Sequence, residues 1–158
     1  MMDIRFLTVS IALLMTPAIA QPPLDATMYS GTHLTLGELL SAELRTSHPQ
    51  MSDGSHADCF HLDTVPGKEY AVTLRSSVFD SYLMLGAGPC ADVMLELESD
   101  DFEETSLDAR ITFTAAQSLY SIFVNSYDAG FTGAYTLLAE EVVLSAEANP
   151  TADAAPAE

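Results

Sequence analysis

Basic residues are scarce in this chain of 158 residues, which has 5 Lys and Arg against 23 Asp and Glu and a formal net charge of −18. Binding to nucleic acid depends on clustered Lys and Arg side chains that neutralise phosphates. Anionic membrane surfaces attract proteins through the same side chains. The composition therefore argues against nucleic acid and anionic lipid as partners. A strongly negative surface instead favours solubility and attracts divalent cations.

Long apolar segments are also missing. The apolar run near the N-terminus, Ile11 to Met15, is too short to span a bilayer, and no later stretch is long or apolar enough to do so. It follows Arg5 and precedes Ala18-Ile19-Ala20, an arrangement typical of a secretory signal peptide with a small-residue cleavage site. We therefore predict a signal peptide over residues 1–20 and a mobile leader over 21–30. The product is expected in the periplasm or the extracellular medium, without membrane insertion.

The chain has only two cysteines, Cys59 and Cys90. An oxidising compartment permits a disulfide, and no other motif competes for the thiols, so we predict a structural bridge between them. Such a bridge closes a loop of about thirty residues. The same reasoning disfavours Cys59 as a free catalytic thiol beside His61.

Alternation of apolar and polar residues predicts strands through the middle of the chain. Tyr70, Val72 and Leu74, for example, fall on one face of a strand, and turn-forming residues such as Pro66-Gly67 separate the segments. We predict eight strands, near Leu39–Leu44, Asp58–Leu62, Glu69–Arg75, Tyr82–Leu85, Val93–Leu97, Arg110–Thr114, Leu119–Asn125 and Tyr135–Glu140.

Each predicted strand has one apolar face, including the strand that carries Val93, Leu95 and Leu97. Two sheets packed face to face bury such faces in a common core. We therefore predict an all-β fold, a two-sheet antiparallel β-sandwich that is jelly-roll-like, over residues 31–141. The Ala-, Pro- and Glu-rich residues 142–158 are predicted to form a disordered tail.

Four motifs occur in a fixed order along these strands: Phe79-Asp80-Ser81-Tyr82-Leu83, the pair Asp100 and Asp101, Arg110 to Phe113, and Gly133 to Leu137. The ordered set resembles the bacterial pre-peptidase C-terminal domain, over roughly Gly31 to Glu140. This resemblance implies a small β-sandwich that is appended to secreted proteases or found alone. It also favours a strand over a short helix for Leu36 to Leu44.

The resemblance implies structural roles for five of the motif positions: Phe79, Asp80, Tyr82, Gly133 and Tyr135. For Asp80 we expect a carboxylate that accepts backbone N–H bonds and holds a turn. Two features depart from the family pattern. The loop after the paired aspartates reads FEETS (Phe102 to Ser106) in place of glycine, asparagine and serine, and the pattern does not require the two cysteines.

Carboxylates are concentrated in one part of the sequence: Glu96, Glu98, Asp100, Asp101, Glu103, Glu104 and Asp108. Calcium takes six to eight oxygen ligands, so an acidic loop at a sheet corner is a candidate site, although the spacing does not match an EF-hand. Some related collagen-binding domains hold calcium, and the resemblance assigns its ligands here to Asp100 and Asp101. The alternative is a solvated loop whose aspartates cap turns.

The sequence also places His56, Asp58 and His61 close together, which raises the hypothesis of a zinc site. A closed zinc site needs four ligands, and an extended strand would put His61 on the opposite face from the other two. Surface histidines are therefore the favoured interpretation.

Catalytic motifs are absent from the sequence: there is no GxSxG elbow, phosphate-binding glycine loop or cofactor fingerprint. Phe102, Tyr127 and Phe131 are candidate binding aromatics at loop tips, unless they fold back over the ends of the sandwich. The predicted function is a non-catalytic binding or accessory module for a protein or polysaccharide surface, with calcium as the candidate cofactor. The alternatives are a small secreted hydrolase or protease-associated inhibitor, and a structural envelope component. The oligomeric state is left open.

Overall fold

The computed structural model of the protein describes residues 31–103 and 106–143. The predicted signal peptide and leader lie outside these residues, as do the predicted tail from residue 144 onward and Glu104 of the acidic loop. Within the two described ranges, no helix has the length and apolar character needed to cross a membrane.

The described chain forms nine strands and a single 3₁₀ turn, Cys90–Asp92. The strands are β1 (Thr32–His33), β2 (Leu40–Leu44), β3 (Ala57–Asp63), β4 (Glu69–Arg75), β5 (Ser81–Ala87), β6 (Met94–Ser99), β7 (Ala109–Thr114), β8 (Leu119–Ser126) and β9 (Gly133–Glu141). All eight predicted strands are present. The ninth, β1, has two exposed residues and pairs parallel to β3, so it leaves no alternation in the sequence.

The strands form a two-sheet β-sandwich, as predicted. One sheet has the order β1-β3-β8-β5-β6 and the other β2-β9-β4-β7. Every pairing except β1 with β3 is antiparallel. Only the β5–β6 connection joins neighbours within a sheet, because every other connection between the described strands crosses from one sheet to the other.

The main core lies between the two sheets. Val72, Ile111, Ile122 and Leu137 all belong to it and are at most 5% exposed, which confirms the common interior that the alternation predicts. Aromatic rings fill its larger spaces, with Phe113 packed against both Tyr70 and Tyr120. Burial of these apolar faces is the main stabilising contribution to the fold.

A second, smaller cluster covers the outer face of the five-stranded sheet, and its buried members are Ala57, Cys59, Met84, Cys90 and Phe123. Central strand β8 is therefore buried on both faces, whereas the sequence predicts one buried face. The disulfide and the segment around the 3₁₀ turn supply the cover for the second face. Long-range packing of this kind leaves no periodic signal in β8 itself.

Strand β6 does not have the buried face predicted from Val93, Leu95 and Leu97. Leu95 and Leu97 are exposed, and Val93 precedes the strand and is only partly buried against the outer cluster. The physical reason is position, since β6 is an edge strand with β5 as its only neighbour among the described strands. A shift in register after Leu85 brings β6 so close to β5 that a Cβ at Gly86 would collide with the Met94 carbonyl.

Candidate functional site

Three loops meet at one end of the sandwich: residues 76–80 before β5, the described residues 100–103 and 106–108 between β6 and β7, and residues 127–132 between β8 and β9. The backbone joins them, because Tyr127 N–H donates to the Asp80 carbonyl at 2.9 Å and Ser81 N–H donates to the Leu107 carbonyl at 3.0 Å. The predicted aspartate pair and the candidate aromatics all lie on these loops.

We call the aspartates of these loops, Asp80, Asp100, Asp101 and Asp128, the acidic end. Burial raises the pKa of Asp80, and the negative charges of Asp101, Asp100 and Asp128 raise it further. The Oδ1 atom of Asp80 is buried and has no hydrogen-bond partner. A buried carboxylate oxygen without a hydrogen-bond partner is unfavourable. A proton or a cation bound at this corner of the molecule would therefore be stabilising.

The turn before β5 is held by a residue that the sequence motif did not indicate. Ser76 Oγ accepts hydrogen bonds from Val78 N–H at 3.1 Å and Phe79 N–H at 3.2 Å. It also donates to the Ala134 carbonyl at 2.9 Å, which ties the turn to β9. Serine hydroxyls often accept hydrogen bonds from backbone N–H groups two or three residues later, so a serine here is a local signal for such a turn. The backbone N–H bonds that were predicted for Asp80 at this turn are thus accepted by Ser76, and Asp80 Oδ1 has no hydrogen-bond partner.

The aspartate pair has a partly local explanation, because Asp101 N–H donates to Asp100 Oδ1 at 3.0 Å. This local bond between a side chain and the neighbouring backbone requires no metal ion. No three His, Cys, Asp or Glu side chains of residues 31–103 and 106–143 lie close enough together to hold a metal ion. A calcium ion here would therefore need backbone carbonyls and water as additional ligands, which calcium accepts.

The three candidate aromatics are all exposed: Tyr127 by 56%, Phe131 by 53% and Phe102 by 44%. Tyr127 packs edge-on against Tyr82 with ring centroids 6.1 Å apart, and the Arg110 guanidinium lies 5.4 Å from the centroid of the Phe102 ring. The rings of Tyr127 and Phe102 are therefore each supported on one side by a neighbouring side chain and exposed on the other. Such a geometry suits contact with a partner surface.

Tyr82 also connects this end to the edge strand. Its hydroxyl donates to Glu98 Oε2 at 2.7 Å, and burial together with this carboxylate raises the pKa of Tyr82 to about 12. The phenol therefore stays protonated at neutral pH, and it fixes Glu98 on the side of β6 that faces Tyr82.

The other motif positions are structural contacts. Phe79 and Tyr135 are buried and their rings meet edge-on, with centroids 6.4 Å apart. Gly133 is needed because a Cβ there would collide with Val78. The Tyr135 hydroxyl donates to Asp58 Oδ2 at 2.6 Å, so a residue of β9 is bonded to a residue of β3 in the other sheet. Burial and the Asp58 carboxylate raise the pKa of Tyr135.

The structure does not gather the three residues of the zinc hypothesis into one site. Asp58 Oδ1 pairs with His48 Nδ1 at 2.6 Å, and its other oxygen accepts the Tyr135 hydroxyl. His61 Nε2 accepts Cys90 N–H at 3.1 Å, and His56 Nδ1 bonds to the His48 carbonyl at 3.0 Å. Each side chain therefore has a partner within the fold.

The predicted disulfide is present between Cys59 and Cys90, whose Cα atoms are 6.1 Å apart. Both residues belong to the outer cluster, and neither thiol is free. Cys59 also lines a pocket of about 440 Å³ that contains the His48–Asp58 pair. Because its sulfur is bonded to Cys90, Cys59 cannot act there as a nucleophile.

Comparisons with known proteins bear on the fold. No protein-family model matches the chain, and no curated protein matches it. The pre-peptidase C-terminal domain of a collagenase from Bacillus anthracis is similar in structure, with a TM-score of 0.51 and 16% sequence identity, over 71% of this chain and 96% of that chain. CorA, a surface-associated copper-binding protein of Methylomicrobium album BG8, has a TM-score of 0.52 and 9% identity, over 73% of this chain and 99% of that chain.

At these identities the similarity establishes the three-dimensional arrangement of the strands. It confirms, at the level of fold, the resemblance that the sequence motifs predict. This chain has the fold of a bacterial pre-peptidase C-terminal domain.

Proposed function

We propose that this protein is an exported, non-catalytic accessory module that binds a protein or polysaccharide surface through the acidic end and its aromatic side chains. The observation that carries the proposal is the display of Tyr127, Phe131 and Phe102 on loops joined by backbone hydrogen bonds. Aromatic side chains held in this way lose little conformational entropy on binding, so they serve well as anchors.

The comparisons support this proposal by analogy of fold. One similar structure is a domain of a collagenase, and the other is a surface-associated copper-binding protein. A position outside the cytoplasm agrees with the Cys59–Cys90 disulfide and with the signal peptide predicted from residues 1–20. We do not extend copper binding to this chain, because the likeness at 9% identity is one of fold alone.

Calcium is the proposed cofactor of the acidic end. Asp100 and Asp101 are its proposed ligands, because calcium prefers oxygen ligands. No three acidic side chains of the described ranges lie close enough together to hold a metal ion, so backbone carbonyls and water would complete the coordination. The buried, unpartnered Oδ1 of Asp80 fits this proposal, because a cation would compensate the oxygen and the surrounding negative charge. When bound, calcium would stiffen the loops that present the aromatic side chains.

Thermal unfolding with and without calcium tests the cofactor. A ligand that binds only the native state raises the melting temperature, and its free-energy contribution reaches about 2.7 kcal/mol at a concentration one hundred times the dissociation constant. Asp101→Ala should abolish the response to millimolar calcium. The matched control is Asp92→Ala, which removes an equal charge from the 3₁₀ turn. An unchanged melting curve for the wild-type chain would remove calcium from the proposal.

A retention experiment tests the binding function. The immobilised full chain is exposed to the extracellular and envelope fractions of the source cells and to their isolated polysaccharides. Retention of a defined component should be lost in the variant Tyr127→Ala with Phe131→Ala. The control variant Val65→Ala with Leu39→Ala removes similarly exposed apolar side chains elsewhere on the surface. Retention that both variants keep, or no retention by the wild-type chain, would contradict a binding role for this end.

A further inference from the structure

The outer edge of β6 is an exposed sheet edge next to the acidic end. Five of the six residues of β6 are exposed and Ser99 is half-buried, and β5 is the only described strand that pairs with it. An edge strand presents a row of unpaired N–H and C=O groups to any chain that can add a further strand. Edges of this kind are either protected against such pairing or used for it.

The other edges of the two sheets are less available. β1 consists of only two residues, so it offers little backbone for pairing. The face of β2 away from the core carries Ser41 and Glu43, and Arg45 is bonded to that glutamate. The corresponding face of β7 carries Thr112 and Thr114. These edges expose polar side chains, which disfavour an apolar contact with an added strand.

β6 differs because its exposed side chains are largely apolar. Met94 is 74% exposed, Leu95 48% and Leu97 42%. At the start of the strand, Met94 and Glu96 line an open groove of about 630 Å³. Apolar side chains left in solvent along a full-length edge strand are unusual for a monomer and are typical of a binding surface.

The charge of this edge is uniformly negative. Glu96 and Glu98 alternate with the leucines, Asp92 lines the same groove, and neither β6 nor the groove contains Lys or Arg. Every basic side chain that the structure describes has a contact elsewhere: Arg45 with Glu43, Lys68 with Glu141, Arg75 with Asp108 and Arg110 with Phe102. The edge therefore combines apolar contact area with negative charge that this chain does not neutralise.

We propose that β6 is a docking edge for an extended segment of a partner protein, in which Lys or Arg alternates with apolar residues, and that the segment binds by adding a sixth strand to the sheet. The backbone of the segment would pair with the outer edge of β6. Its apolar residues would contact Leu95 and Leu97, and its basic residues would meet Glu96 and Glu98. This surface adjoins the acidic end, because Tyr82 contacts both Glu98 and Tyr127, but it uses different side chains from the aromatic anchors.

Charge complementarity decides between the possible occupants. A second copy of the chain would bring together two molecules of net charge −18 and two glutamate-bearing edges, which repel. The chain's own residues 144–158 contain Glu147, Asp153 and Glu158 and no basic residue, so they are repelled as well. A basic extended segment is attracted by the same charges, and it gains apolar contact at alternate positions.

The test uses a fluorescent eight-residue peptide that alternates Lys and Val, titrated against the full chain by anisotropy. Amide chemical shifts of residues 94–99 locate the binding. Two further peptides carry N-methyl groups on alternate backbone amides, one on each set, with all charges retained. In an added strand only one set of amides faces β6, so we expect one methylated peptide to lose at least about tenfold in affinity and the other to bind normally.

Charge variants of the chain provide the second arm. Glu96→Gln with Glu98→Gln should weaken binding about fivefold, since two cross-strand charge pairs are lost while the Tyr82 hydroxyl retains an acceptor. The control Glu38→Gln with Glu140→Gln removes equal charge from exposed positions on other parts of the fold. We expect the control to bind the peptide as the wild-type chain does, and Tyr127→Ala with Phe131→Ala to do the same.

Any of three results would overturn the proposal: the alternating peptide does not bind, the two methylated peptides bind with equal affinity, or both pairs of charge variants weaken peptide binding equally. The last two outcomes would reduce the interaction to general attraction of positive charge. A dimer in sedimentation equilibrium that is broken by Leu97→Glu would assign the edge to a second copy. None of these results would affect the binding role of the acidic end, which depends on different side chains.

Discussion

Removal of the Cys59–Cys90 disulfide should destabilise the domain by an amount that follows from its position in the chain. The cysteines are 31 residues apart in sequence. The loss of chain entropy in the unfolded state by a cross-link over such a loop corresponds to about 3.7 kcal/mol at 25 °C. Both residues are also buried in the outer cluster, so replacing them by alanine removes packing in addition to the cross-link.

The two contributions can be separated experimentally. Reduction of the wild-type chain breaks the cross-link but keeps both sulfur atoms, whereas Cys59→Ala with Cys90→Ala removes them. We therefore expect the free energy of unfolding to decrease from the oxidised protein to the reduced protein and again to the double variant. The chain has no Trp, so urea unfolding is best followed by far-ultraviolet circular dichroism. Reductant should leave the double variant unchanged.

The dependence of stability on urea provides a further check. Without the cross-link the unfolded chain is more expanded, so the slope of unfolding free energy against urea should increase in the double variant. Oxidised and reduced wild-type proteins that differ by less than about 1 kcal/mol would contradict the entropic argument, because the loop model expects several times that difference. The main core would then hold the Cys59 and Cys90 segments in place without the bridge.

Three further predictions concern single side chains. Tyr135→Phe should lower the free energy of unfolding, measured in urea, by about 1.5–3 kcal/mol, because it removes a hydrogen bond to the Asp58 carboxylate. A change below about 0.5 kcal/mol would show that this link between the sheets is unimportant. Burial lowers the pKa of His61 from 6.5, so its stabilising contribution is present above pH 6.5 and is lost as the pH falls through the folded-state pKa. Wild-type stability should therefore fall more steeply from pH 7 to pH 5 than that of His61→Gln, and equal slopes would refute this. The pKa of Asp80 is raised, so its contribution is favourable below pH 3.8 and is lost as the pH rises through the folded-state pKa. In the presence of a calcium chelator at pH 7, Asp80→Asn should consequently melt at a higher temperature than the wild-type chain. The difference should vanish near pH 3. A variant that melts at a lower temperature than the wild-type chain at pH 7 would contradict the charge argument.

The strands were predictable from the sequence where a strand has one face in the main core. Tyr70, Val72 and Leu74 on β4 and Ile111 and Phe113 on β7 alternate with more polar residues, and the structure buries them as the pattern predicts. The disulfide was predictable for another reason, since two cysteines in a chain that is predicted to be exported have few alternatives.

The prediction was wrong where burial depends on a strand's position in its sheet. Leu95 and Leu97 have the same alternation as core residues, but β6 lies at an edge and leaves them in solvent. Phe123 lies among Ser121 and Asn125, and yet the outer cluster buries this face of β8. Neither strand order nor the second cluster is encoded in a local period, so a single sequence did not reveal them.

The sequence indicated which loops carry the candidate site, but not how those loops are placed relative to one another. Asp100, Asp101, Tyr127 and Phe131 stood out because they are acidic or aromatic residues near turns. The approach of Asp128 to Asp80, and the buried oxygen that results, depend on loops that are far apart in sequence. The same holds for the bond between Tyr135 and Asp58, because it joins residues 77 positions apart.

The alternation of consecutive strands between the two sheets determines how much of the chain must be present before the domain can fold. Among the described strands β2 pairs with β9 alone, with Leu40 opposite Leu137, so the four-stranded sheet cannot close until nearly the whole domain is available. Domains dominated by such distant pairings fold slowly. A nascent chain that ends before β9 should therefore remain unfolded, which is the state that the export we propose would require.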